Sequence, residues 1–406
     1  MPDLPHRLSA SSTTWVGCAL AAKLLLAIGC KTIDDPDPRP AQTPVARAYV
    51  DVTDTHLPDT LTGFSMDAAL GDVDGDGDLD IVVAHEFRPN ILLLNDGAGG
   101  FQDVSASRLP RTERDSEDVV LFDFDGNGQV DLLFASEDDQ VNELFLQSGT
   151  RFTDASELIP VKGTSNAAIL DPSTDPPTVL IGNAGQNRAL QWREGRFVDV
   201  TLDVLPVRHD RTQDLELGDV DGDGDLDLAV GNEDVSVILI RQGSRFETVI
   251  DLPVEAETRE IDLFDADRDG DLDVVMANIR FLRPEVSRQN RILMQISPGI
   301  FEDQTASRLP EDDDDSFDVD ALDLDGDGDD DLLTSNLDSL RGTPARRPFR
   351  AYLNDGSGRF SESVGILPET AVGNGFDSEF ADVNGDRVPD LFLASRGGPD
   401  RLLLAR

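Results

Sequence analysis

Six stretches of nine residues in this chain follow D-x-[DN]-x-[DN]-x-x-x-D, and each gathers enough oxygen into a short loop to hold a metal ion. The first carries Asp72, Asp74, Asp76, Asp78 and Asp80, and the second Asp123, Asp125, Asn127 and Asp131. The third has Asp219, Asp221, Asp223, Asp225 and Asp227, and the fourth Asp265, Asp267, Asp269, Asp271 and Asp273. Asp323, Asp325, Asp327, Asp329 and Asp331 make the fifth, and Asp382, Asn384, Asp386 and Asp390 the sixth. Calcium, a hard cation, takes six to eight oxygen ligands at roughly 2.3–2.6 Å, which a tight loop can supply from alternate residues. Positions 1, 3, 5 and 9 would be side-chain ligands and position 7 would offer its backbone carbonyl. Glycine at position 6, as in Gly77, Gly128, Gly224, Gly270 and Gly328, permits the sharp turn. The sixth loop has Asn384 at position 3 and Arg387 in place of the glycine, which weakens it. Like charges packed this closely are costly without a cation, and magnesium, which retains several waters, suits fewer carboxylates. The expected cofactor is therefore Ca2+, five to six ions.

The whole composition agrees. Asp and Glu number 81 against 34 Lys and Arg, a formal net charge of -47. Such a chain repels nucleic acid and anionic membrane surfaces. Yet 39% of its residues are hydrophobic, in short β-branched and Leu-rich runs, so it can bury a core rather than remain disordered. Cys18 and Cys30 are its two cysteines, and they cannot staple the body with disulfides.

The loops recur with a regular frame of strands. Between the second and third lies Asp171-Pro-Ser-Thr-Asp-Pro-Pro-Thr-Val179, a seventh copy with Ser173 and Val179 at ligand positions, which should bind no ion. Counting it, loop starts fall 51, 48, 48, 46, 58 and 59 residues apart. Within each unit one apolar strand enters the loop (Ala68-Ala69-Leu70) and a second leaves it (Leu79 to Ala84). A third follows (Ile91 to Leu94), then a turn and a fourth (Phe101 to Val104). Four short strands per repeat describe a propeller blade. After the last loop only strands two and three remain, while Ala48 to Thr53 near the start matches a fourth strand. The expectation is an all-β fold: a seven-bladed β-propeller over residues 48–406, with the N- and C-terminal segments sharing the closing blade. That closure removes an exposed sheet edge.

The loops, with turns such as Asn95-Asp-Gly-Ala-Gly-Gly-Phe101 and Asn354-Asp-Gly-Ser-Gly-Arg-Phe360, resemble FG-GAP/VCBS repeats, the calcium-bearing propeller repeats of integrin α-chains and many secreted bacterial proteins. The resemblance covers about residues 48 to 406. It implies fold and metal more than activity, since the family spans adhesion proteins, lectins and auxiliary domains of enzymes.

Five residues before each loop stands another acid: Asp67, Asp118, Asp214, Glu260, Asp318 and Asp377, with Asn166 in the seventh copy. Five strand residues span about 17 Å, so these belong at the opposite end of the central channel. They would either accept hydrogen bonds that fix blade geometry or ring a bound cation or basic ligand. Where the second strand returns to that face come His85, Ser136, Asn183, Asn232, Asn278, Asn336 and Ser395, a second polar ring. Two long loops open there also. They carry Arg280, Phe281, Arg283, Arg288 and Arg291, and then Arg341, Arg346, Arg347, Phe349 and Arg350. Arginine forks suit carboxylate, sulfate or phosphate, so these residues are candidate partner contacts, unless they merely neutralise nearby acids.

At the N-terminus Trp15 to Gly29 is apolar apart from Lys23, follows His6 and Arg7, and ends in Leu26-Ala27-Ile28-Gly29-Cys30. This resembles a bacterial lipoprotein signal over 1–30 with Cys30 as the lipid attachment site; an ordinary secretory signal or a buried strand are the alternatives. Residues 31–47, rich in Pro and Asp, suit a tether. The functional expectation is a monomeric binding or adhesion module on the cell surface or in the periplasm, for a protein or an anionic glycan, touching membrane only through its lipid anchor. A lectin is the alternative, or a hydrolase or lyase with its site on the channel face. No nucleophile signature accompanies His56, His85 or His209, so an enzyme is not expected.

Overall fold

The computed structural model describes residues 47–59, 61, 63–138, 140–337 and 348–406. The expected signal, its Cys30 and nearly all of the tether lie outside the described residues, as do Arg341, Arg346 and Arg347.

Among the described residues the strands form seven successive antiparallel units, each paired in the order first, second, third, fourth. Their first strands are Ser65–Gly71, Arg114–Phe122, Ser165–Asp171, Asp210–Gly218, Glu257–Phe264, Asp315–Leu322 and Gly375–Ala381. Each touches the first strand of the next unit, and the seventh touches the first, so the ring closes on itself. In the seventh unit the outer strand comes from the other terminus: Tyr49, Val50 and Asp51 pair with Ala405, Leu404 and Leu403. The fold is a β-propeller.

Seven hydrophobic clusters hold it together, each formed across the seam between neighbouring units. Leu70, Ile81 and Leu93 of the first unit pack against Val383, Phe392 and Leu402 of the seventh, for example. Second strands are sandwiched on both faces, and for this reason they read as continuous apolar runs rather than alternating ones: Asp131–Ser136 is buried throughout. No helix among the described residues is long and apolar enough to cross a membrane.

Strand register corrects the frame of the seventh copy. In the first unit Gly71 pairs with Asp80 across the loop, and in the second Phe122 pairs with Asp131. In the third unit Asp171 pairs with Thr178, so this loop is two residues shorter. Asp171 is therefore the last strand residue, not the first loop ligand, and the residue at the ninth position is Thr178, not Val179. Asp171 is fully buried and meets Arg241 of the fourth unit at 2.6 Å. A guanidinium supplies the positive charge there.

Candidate metal centres and channel mouth

Each loop is built around its ninth residue. Asp80 accepts the Val73 amide at 2.9 Å through one oxygen and the Asn95 amide at 3.0 Å through the other. The same two bonds, to the loop's second residue and to the third strand, recur at Asp131, Asp227, Asp273, Asp331 and Asp390. All six carboxylates are at most 1% exposed. Burial pushes Asp80, Asp273 and Asp331 up to about 7 and Asp131, Asp227 and Asp390 up to about 6. The ninth position thus clamps loop to strand as well as facing any ion, a role the spacing alone did not reveal.

The first residue of the loop shapes the turn. Asp72 accepts the Gly75 and Gly77 amides at 2.8 and 3.1 Å, and Gly77 sits at φ 99°, a left-handed conformation that favours glycine. In the sixth loop Arg387 is held at φ 71°, so the turn survives at some backbone cost. One oxygen each from Asp72, Asp74 and Asp80 lie within 4.8 Å of one another, as do those of Asp123, Asp125 and Asp131, of Asp219, Asp221 and Asp227, and of Asp265, Asp267 and Asp269. Any two ligands about 2.4 Å from one ion fall within that separation. Asp219 Oδ1 and Asp267 Oδ1 are buried with no hydrogen-bond partner. An oxygen-only donor set with orphaned carboxylate oxygens fits a hard divalent cation. The exposed acids at position 5, such as Asp76, bond to their own turn: Asp76 accepts the Asp78 amide at 3.0 Å.

At the other end of the first strands the ring acids sew the units together. Asp67 accepts the Val119 amide at 2.9 Å, Asp118 that of Ala168 at 2.7 Å, Asp214 that of Ile261 at 3.0 Å and Asp377 that of Ala68 at 3.0 Å. Asp262 does the same for Ala321, and the Ser378 hydroxyl lies 2.8 Å from Asp318 and 2.7 Å from Asp320, with one proton to donate to either. Burial, with Asp118 and Asp377 nearby, holds Asp67 well above the usual carboxylate range, and Asp118 is pushed up to about 7, again chiefly by burial. Of the two roles expected for these acids, the structural one matches, with the donors coming from the next unit.

The second polar ring does not face the channel. Ser165 donates to Asn183 at 2.8 Å, Thr212 to Asn232 at 3.0 Å, Thr258 to Asn278 at 3.1 Å and Ser316 to Asn336 at 2.7 Å, all buried between first and second strands. Ser65, His85 and Asp400 replace this pair in the first unit. Ser65 donates to Asp400 at 2.8 Å, is fully buried, and burial drives His85 down to about 4. That arrangement is interior packing, not a base activating an accessible nucleophile.

A β-bulge in every first strand supplies the true lining. The extra residues are Met66, Glu117, Asn166, Gln213, Arg259, Phe317 and Phe376, and all border a channel cavity of about 610 Å³. Bulges re-aim side chains. Phe317 and Phe376 lie 4.4 Å apart between ring centroids, with Arg259 over the first and Arg396 over the second, each at 5.6 Å. Beside them Glu257, fully buried, accepts the amides of Phe281, Leu282 and Arg283 at 2.9 Å. The loop is held rigidly while Phe281 and Leu282 remain 59% and 48% exposed.

The expected arginine patch is largely neutralised. Arg283 pairs with Glu255 and Glu285, Arg288 with Asp313 and Asp315, Arg291 with Asp303, and Arg350 with Asp314 and Glu362. Arg280 is exposed. Phe349 is no surface contact: it begins a third strand, is 6% exposed, and packs with Leu322 and Leu393 at the seam between the sixth and seventh units.

This architecture and these loops define a propeller of the Asp-rich repeat class. The FG-GAP-like repeat model matches residues 72–134, 219–276 and 265–334, so the chain carries FG-GAP-like repeats. No curated protein matches it. Among solved structures, BBS1N in complex with ARL6DN, from a crystal soaked with lead, is 11% identical at a TM-score of 0.55, over 88% of this chain and 96% of that one. The extracellular domain of BT4673 from B. thetaiotaomicron is 12% identical at a TM-score of 0.51, over 87% of this chain and 39% of that one. At these identities the likeness is one of fold.

Proposed function

We propose that this protein is a calcium-stabilised, extracytoplasmic binding module that docks a protein partner on its channel mouth. One observation carries the reading: Phe281 and Leu282 stand exposed at the mouth on a loop whose backbone is fixed by the buried Glu257 carboxylate. Rigidly presented apolar side chains ringed by charge are the usual anchors of protein interfaces. A protein is favoured over an anionic glycan because four of the candidate arginines are already engaged by acids. Calcium is favoured in the loops by the all-oxygen donors and their number. The FG-GAP repeats and the extracellular-domain neighbour support an extracytoplasmic location, and Cys30 would tether the module through lipid. Binding rather than catalysis is the reading for the channel face.

The test compares the parent with a Phe281→Ser/Leu282→Ser variant in pull-downs from surface proteins and on a glycan array, each in calcium and in chelator. A protein retained at least about tenfold better by the parent supports the proposal. Retention that ignores the substitutions, or binding confined to sugars, overturns it.

A further inference from the structure

Outside the repeat loops, one acidic cluster at the channel end of the seam between the first and second units has the features of a site. One carboxylate oxygen from each of Asp115, Glu137 and Asp138 lies within 4.8 Å of the other two. Acidic clusters are common on so acidic a surface, and the buried member makes this one different. Asp115 is 2% exposed, and while its Oδ2 accepts the Asp138 amide at 3.0 Å, its Oδ1 is buried with no hydrogen-bond partner. A buried carboxylate oxygen left unpaired is costly.

A second orphan lies opposite. Glu86 pairs with Asp115 in register where the two units' strands meet, so two acids face each other across an antiparallel pair. Glu86 Oε1 takes Arg396 of the seventh unit, but Oε2 is buried and unpartnered.

The repeat supplies its own controls. The residue three before the ring acid is Glu257 in the fifth unit and Asp315 in the sixth. Glu257 spends both oxygens on loop amides. Asp315 spends one on the Arg280 amide and the other on the Arg288 guanidinium at 3.0 Å. Asp115 holds the same place with one oxygen unspent, and two further carboxylates have gathered around it.

We propose that Asp115, Glu137 and Asp138 form a further site for a hard divalent cation of the calcium class, separate from the repeat loops and pinning the seam between the first two units. Three carboxylates whose oxygens fall within one ion's coordination sphere supply the protein ligands, and the exposed Asp138 leaves water room to complete the shell. The Glu86 carboxylate behind them adds charge that a cation compensates.

The test uses the full chain with Asp115→Asn/Glu137→Gln, counting bound calcium by native mass spectrometry and measuring melting in about 1 mM calcium and in chelator. Asparagine preserves the acceptor for the Asp138 amide, and Glu137→Gln alone serves if the double variant folds poorly. The variant should lose one ion relative to the parent. It should melt at or above the parent in chelator, where like-charge repulsion has been relieved, while its calcium-induced rise in melting temperature shrinks. An unchanged ion count with an unchanged calcium-induced rise overturns the proposal. Asp74→Asn runs beside it: that change should remove one ion from the first loop, and the combined protein should lack two, so failure of the loop assignment and failure of this site are read separately.

Discussion

Replacing Asp80 by Ala and Asp74 by Ala separates the two roles of a loop aspartate. Both belong to the same cluster, yet Asp80 is fully buried and accepts the Val73 and Asn95 amides, whereas Asp74, among the described residues, pairs with the Arg108 guanidinium at 3.3 Å. Truncating Asp80 strands two buried N–H groups, each worth roughly 1–3 kcal/mol, about 4 kcal/mol together. A cooperative unit of this size shifts by about 1.3 °C per kcal/mol, which gives a fall of about 5 °C. The assay is thermal melting in chelator near pH 6, where the Asp80 carboxyl, pushed up to about 7, is mostly neutral and its removal relieves little repulsion. Asp74→Ala loses at most a surface ion pair under these conditions and should melt within about 1 °C of the parent. In calcium both variants should lose the ion of the first loop. If the two melt alike in chelator, the ninth position is no clamp and the account of loop architecture fails.

Stability should also depend on pH, with a sign that calcium inverts. The ninth-position carboxyls are raised above their unfolded values, so the metal-free fold binds more protons than the unfolded chain between about pH 4 and 7 and loses stability as pH rises through that window. Melting in chelator should be higher at pH 5 than at pH 8, and with saturating calcium the order should reverse, because metal needs the deprotonated ligands; a chelated protein that stabilises with rising pH would contradict this. Deleting residues 400–406 should destabilise the entire ring, since it removes the strand that pairs with Tyr49–Asp51 and the buried Asp400 that accepts from Ser65 and Ser395; a truncated protein melting like the parent would refute the closure. Asp175→Asn, in the short loop of the third unit, should leave the calcium count unchanged, and loss of an ion would show that this loop binds after all.

What the sequence made legible was local. The loops could be read because ligand spacing within nine residues is a property of one turn, and the closing strand because Ala48 to Thr53 repeats the pattern of Phe101 to Ser105. The short loop of the third unit is not framed by its acidic letters, because strand pairing sets the register: Asp171 belongs to a strand and to Arg241, some 70 residues away. The partners of the ring acids were hidden for the same reason, as Asp67 bonds to Val119 on the next unit. Nothing in a strand's composition marked the bulges that turn Phe317 and Phe376 into the channel. In sequence Phe349 reads as a loop residue because a strand beginning straight after Pro348 looks like the end of an arginine-rich loop. The Glu257 clamp under Phe281 has one signal that could have found it, a lone acid at the start of a strand just before a long loop returns to the same face.

The most direct test of the calcium account is the melting temperature of the full chain in chelator and in about 1 mM calcium, with metal content measured on the same sample. For dissociation constants near 10⁻⁴ M each loop adds about 1.4 kcal/mol, and six add roughly 8 kcal/mol. At about 1.3 °C per kcal/mol that is a rise of about 10 °C, accompanied by at least five bound calcium ions. Identical melting in the two conditions, with no calcium retained, would contradict it.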